Sequence, residues 1–164
     1  MYNIIGVDNM GLDTYLMRNK DTFKEDNCVE NVDYVHFRKY FGFNDWLQDI
    51  HIGDNLYGGY VDKDKLIQVK DEMSKYVDKM LEYMKSNITT IENIDDMQNY
   101  IFNIEYDDPD YQYLMKLIKP FNKCNLDYDK ITDSVWNPIN SFLWIYTKLC
   151  IAINNNLFYY SSSF

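Results

Sequence analysis

Leu66, Val69, Met73, Val77, Met80 and Met84 recur every three or four residues, with charged side chains at positions between them. That spacing lines all six along one stripe of a helix, and so long an apolar stripe must be covered by other elements. The chain is thereby committed to a layered core. Asp62 or Asp64 is placed to cap this helix. A row containing methionines also suits an adaptable binding groove, although facing a core is its commoner use.

Other segments read more locally. Asn137-Pro138 starts a helix, since asparagine caps and proline suits the first helical position, and Ile139, Phe142, Leu143, Tyr146, Leu149 and Ile153 continue its apolar face. Met97 to Ile104 and Tyr111 to Ile118 read as shorter helices, the second ended by Pro120. From Tyr34 to Ile50, residues Tyr34, Phe37, Phe41, Trp46 and Leu47 stand at mostly helical spacing broken by Gly42, which puts Arg38 and Lys39 on a helix. Tyr2 to Val7 and Leu12 to Met17 read as two strands around a turn, Leu56 to Val61 as a short strand, and Leu157 to Phe164 as a terminal strand. Arg18 to Asn31 reads as a loop. The expectation is one α+β domain over residues 1–164. Its small, mainly antiparallel sheet is built from the N-terminal strands, the strand at 56–61 and the C-terminal strand, and is covered by several helices.

Three cysteines, Cys28, Cys124 and Cys150, form an odd set without a close pair, so free buried thiols are expected in place of a disulfide framework or a zinc cluster. No apolar run is long enough for a membrane span, and no basic stretch leads into an apolar core at the N-terminus, so a cytoplasmic protein without a membrane partner is expected. A net charge of −10, with Arg18 and Arg38 the only arginines, opposes direct binding to nucleic acid.

Three separated runs carry a likeness. They are Met10-Gly11-Leu12-Asp13-Thr14-Tyr15-Leu16, then Phe37-Arg38-Lys39 with Trp46-Leu47, and Phe158-Tyr159-Tyr160-Ser161-Ser162-Ser163-Phe164. Together they resemble an uncharacterised family of small bacteriophage and prophage proteins. Its members read Met-Gly-Leu-Asp-Met-Tyr-Leu, Tyr-Trp-Arg-Lys-Ala-Asn-x-Ile-His-x-Trp-Phe and a closing Tyr-Tyr-Gln-Ser-Ser-Trp. The sequence departs from that pattern at Phe41, where the family has asparagine, and at Asn44, where it has histidine. The resemblance implies a phage-encoded accessory protein working in the host bacterial cell, a class that includes antagonists of host defence.

Candidate chemistry divides between two surfaces. Arg38 and Lys39 beside aromatic residues suit an anionic planar ligand such as a nucleotide, with the cations on phosphate and Phe37, Trp46, Tyr159 and Tyr160 as stacking surfaces. The alternative is that Arg38 pairs with an acid and Lys39 is solvated. Between Lys85 and Lys116 there is no basic residue, while Glu92, Asp95, Asp96, Glu105, Asp107, Asp108 and Asp110 accumulate over residues 92–110, around Pro109 at its end. That block forms either a solvated acidic loop or a nucleic-acid mimic that occupies a basic cleft on another protein. His36 and His51 lack partners at metal-ligand spacing, no nucleophile motif stands beside them, and Gly58-Gly59 lacks phosphate-loop spacing, so neither metal nor cofactor is expected. The expected function is non-enzymatic binding that blunts a bacterial defence by sequestering a nucleotide-type signal or by occupying a defence protein. A nucleotide hydrolase, a virion assembly role and a homo-oligomer remain open.

Overall fold

Burial alternates residue by residue from Tyr34 to Arg38. Val35 and Phe37 are fully buried while Tyr34, His36 and Arg38 are half exposed, a period of two that belongs to a strand. The structure, a computed structural model, describes residues 12–53 and 55–163. In chain order its elements are β1 (Asp13–Met17), β2 (Tyr34–Arg38), α1 (Phe41–Ile50), β3 (His51–Ile52), β4 (Gly58–Val61), α2 (Lys63–Asn87), α3 (Ile94–Asn103) and α4 (Pro109–Ile118). There follow β5 (Asn122–Lys123), β6 (Leu126–Asp127), α5 (Tyr128–Thr132), α6 (Pro138–Asn154) and β7 (Tyr159–Ser163).

The continuous helical reading of residues 34–50 is thus corrected. Its apolar positions mix a strand period with a helical one, and Lys39, at a φ of 61°, marks the break between them. Arg38 ends a strand and does not lie on a helix. Gly42 lies within α1, where a Cβ would run into the backbone of Lys130. The glycine is there for close approach of α5.

Five strands form one antiparallel sheet in the order β2-β1-β7-β4-β3, and β5 and β6 form a separate small hairpin. The fold is α+β. The C-terminal strand sits between β1 and β4, so its residues are held from both sides. The proposed strand at Tyr2 to Val7 lies outside the described residues. β2, read as helical from sequence, supplies the edge strand beside β1. The outer edge of β2 is stoppered at both ends: Asn31 donates its N–H to the Tyr34 carbonyl at 2.7 Å, and the Trp136 indole donates to the Arg38 carbonyl at 2.9 Å. Such plugging protects an edge from pairing with another chain.

The six-residue stripe of α2 is wholly buried, and Asp62 caps that helix by accepting from the Lys65 N–H at 3.2 Å. Asn137 does the same for α6, accepting from the Asn140 N–H at 2.8 Å. Helix α6 is central, packing against α2, α3, α4, α5 and β2. Beneath the sheet, buried Asn44 accepts from the Thr14 hydroxyl at 2.8 Å and from the Tyr160 hydroxyl at 2.7 Å through the same Oδ1. This tie locks α1 to the two central strands. The three cysteines are free but only half buried. Among the described residues, no helix is long and apolar enough to cross a membrane.

Candidate functional site

The pleat of β2 sends His36 and Arg38 to the face opposite Phe37, beside the edge that α6 packs against. On α6, Trp144 and Lys148 are four residues apart and share a face. Trp136, just before the Asn137 cap, is tied to the strand through its bond to the Arg38 carbonyl. These three pieces line an open cleft of about 240 Å³ whose walls are His36, Arg38, Tyr40, Trp136, Trp144 and Lys148. Its rings are a near-perpendicular indole pair, with centroids 5.7 Å apart and planes at 82°.

Three nitrogen groups line this cleft. Asp13, next to β2 on β1, accepts from His36 Nε2 at 2.7 Å and from Arg38 Nη1 at 2.8 Å, both on Oδ1. Burial pushes the Asp13 carboxyl up, but the bonds from His36 and Arg38 outweigh it and hold the group below the usual carboxylate range. Tyr15 stacks flat on the His36 ring, with centroids 4.7 Å apart, and so fixes its plane. The Arg38 side chain keeps 42 % of its surface exposed despite the ion pair, and most of its donor fork is unused by Asp13.

Lys148 is in a different situation. It is half buried, its Nζ stands 5.8 Å from the Phe37 ring centroid, and its ammonium makes no hydrogen bond or ion pair with any described residue. Burial pushes its pKa down, and the more distant Glu30 restores only part of the loss. Solvent in the cleft still reaches its Nζ, so an anion bound there would take the place of water on the ammonium donors.

Comparison of the chain with protein-family models, with curated proteins and with solved structures returned no match.

Of the ligand residues expected from sequence, Arg38 alone lines the cleft. Phe37, Trp46 and Tyr160 are corrected to core residues: each is essentially inaccessible, Trp46 donates its indole N–H to the Cys124 carbonyl at 2.8 Å, and the Tyr160 hydroxyl is spent on Asn44. Tyr159 is half buried but misplaced. It pairs in register with Met17, whereas Asp13 is opposite Ser163, which puts Tyr159 about 13 Å further along the sheet. Lys39, at its positive φ between β2 and α1, does not line the cleft. The aromatic role passes to Trp136 and Trp144, and Lys148 and Asp13 join the site. The spacing of Trp144 and Lys148 on the helix after Asn137-Pro138 was the one available signal for them.

The acidic group divides. Glu105 and Asp107 are exposed. Asp108 caps α4 by accepting from the Asp110 N–H at 2.8 Å, and Asp110 accepts from the Tyr83 hydroxyl at 2.8 Å. That bond to Asp110 pushes the Tyr83 phenol up to about 12. Two larger clefts exist. One of about 520 Å³ lies at Lys119–Asn122 and Asp127–Asp129, and one of about 330 Å³ lies between Tyr83 and Tyr113. Asp127 in the first is occupied as the cap of α5, and neither of the two holds a half-buried cation lacking a partner.

Proposed function

We propose that the protein is a non-enzymatic binder whose β2–α6 cleft captures an anionic, planar small molecule of nucleotide type. The observation that carries this reading is Lys148, an ammonium with no hydrogen bond or ion pair to a described residue, lining the same cleft as Arg38 and two indoles. An anion there would supply the missing acceptor, the Arg38 fork would add directional bonds, and an indole face would take a base. The phage-like motifs at residues 10–16, 37–47 and 158–164 make such capture the work of a phage accessory protein that removes a defence signal inside the host cell. The mode of action is equilibrium binding, without bond making or breaking.

Titration calorimetry with a nucleotide panel tests this. The native protein binds at least one mononucleotide, Arg38→Ala and Lys148→Met each weaken it at least tenfold, and the nucleotide is recovered intact after incubation. Absence of binding by every nucleotide, or chemical conversion of the bound one, refutes the reading.

A second reading has its own support. Phe102 is 67 % exposed and Tyr106 is 60 % exposed on the segment that carries Glu105 and Asp107. Bare rings among carboxylates suit a basic surface on a target protein. The double change Glu105→Lys and Asp107→Lys would abolish inhibition of such a target while leaving nucleotide capture intact.

A further inference from the structure

We infer that the cleft is built for a nucleotide with one base and one phosphate group, and that Asp13 sets this limit on charge. The inference rests on the ligand-capture reading above and goes further by naming the class. Three observations lead to it.

Size comes first. Pockets that enclose whole small molecules usually run from about 300 to 1,000 Å³, and this cleft holds about 240 Å³. A base and a phosphate fill it, with the sugar at the mouth. A second nucleoside would lie outside.

The rings come second. Trp136 and Trp144 meet edge to face, so they form a corner with one flat wall and one edge, not two parallel walls. A corner takes one planar ring. Trp136 is held there by its bond to the Arg38 carbonyl, which fixes the distance between ring and cation.

Charge comes third. Arg38 and Lys148 each bring a positive charge, and ionised Asp13 cancels one of them at Arg38. What remains is a single positive charge, which a phosphate monoester, at about −1.5 to −2 near neutral pH, already uses in full, since the His36 Nε2–H is given to Asp13. A triphosphate adds further negative charge that finds no cation in the cleft, beside Asp13 and in the field of a protein of net charge −10. Asp13 therefore acts as a specificity-determining residue, even though its direct contacts are with His36 and Arg38.

The experiment measures dissociation constants for AMP, ATP and cyclic di-AMP at fixed, low salt, without magnesium, for the native protein, Asp13→Asn and Lys148→Met. In the native protein AMP should bind at least fivefold more tightly than ATP and than cyclic di-AMP. Asp13→Asn, which keeps the shape and removes the charge, should narrow or invert the AMP-to-ATP ratio while leaving the AMP-to-cyclic di-AMP ratio unchanged, because ring geometry is untouched. Native protein that prefers ATP or cyclic di-AMP overturns the inference without touching the capture reading, provided Lys148→Met still abolishes binding. An Asp13→Asn ratio equal to the native one removes Asp13 from the explanation. No binding by any of the three, or binding indifferent to Lys148→Met, overturns the capture reading and the inference with it. Because the native panel needs no variant, a substitution that fails to fold leaves the size and ring arguments fully tested.

Discussion

Lys148→Met should make the ligand-free protein more stable while destroying its ability to bind. Methionine keeps an unbranched stem against the same wall and removes the ammonium. In the free protein that ammonium is half buried with no hydrogen bond or ion pair to a described residue. Because solvent in the cleft still reaches Nζ, the cost stands at the low end of the ~1–3 kcal/mol of a donor wholly cut off from water. The Phe37 ring, 5.8 Å from Nζ, offsets about 0.5–1 kcal/mol of this at most. The balance favours the variant by up to about 0.5 kcal/mol, which for a domain of this size raises Tm by about 1–2 °C. Far-UV circular dichroism melts in a buffer free of phosphate and sulfate, paired with nucleotide titration, measure both halves. The pH dependence provides an internal check. Burial lowers the Lys148 pKa from 10.5 in the folded protein, so between the folded value and that of the unfolded chain the unfolded state holds more protons, and stability rises with pH. The difference between native and variant should therefore shrink as pH climbs toward about 10. A variant that melts lower than the native protein, or a difference that widens with pH, would show that Lys148 is held by a stabilising contact and is not waiting for an anion.

Asn44→Leu strands the Thr14 hydroxyl in the core, while the Tyr160 hydroxyl keeps Ser162 at 2.9 Å, and should cost about 1–3 kcal/mol, read from urea unfolding as a lower midpoint at unchanged slope. Gly42→Ala drives a methyl group into the Lys130 backbone, and the overpacking, about 1–3 kcal/mol, should exceed the gain in helix propensity of up to about 1 kcal/mol; a stabilised variant would disprove the close contact of α1 with α5. Asp13 is held below its ordinary pKa when folded, so its ionised form stabilises the protein above about pH 4 and that contribution disappears as pH falls through the folded value. The stability gap between native protein and Asp13→Asn should close on acidification, and a gap that is flat or widens in acid contradicts the pairing with His36 and Arg38.

What was legible in the sequence is what neighbours along the chain settle among themselves. The α2 stripe needs only the 3.6-residue period, and the caps at Asp62 and Asn137 need only a side chain three residues from an unpaired N–H. Leu12 to Met17, the region near Tyr60 and the C-terminal run announced themselves as strands by aromatic and β-branched residues between turns. The α+β class follows from those pieces. The failure at Tyr34 to Arg38 has the same root: five residues of alternation, followed at once by a helix, look like helical spacing when the two periods are read as one. The short β5–β6 hairpin and α5, which α1 and α6 pack against, had no periodic signal long enough to read.

Arginine beside aromatic residues did point to Arg38, but proximity in sequence chose the wrong rings. Phe37 lies on the opposite face of the pleat from Arg38, while Trp136, 98 residues away, bonds to its carbonyl. By itself the sequence determined α2, α3, α4 and α6, the caps at Asp62 and Asn137, the strands β1, β4 and β7 and the acidic balance, because each depends on a local pattern or a count. Only the tertiary structure decided that His36, Arg38, Tyr40, Trp136, Trp144 and Lys148 share one cleft, with Asp13 behind His36 and Arg38. It alone decided too that Lys148 there has no hydrogen bond or ion pair with a described residue, since a missing contact depends on everything the fold brings near that side chain and everything it keeps away.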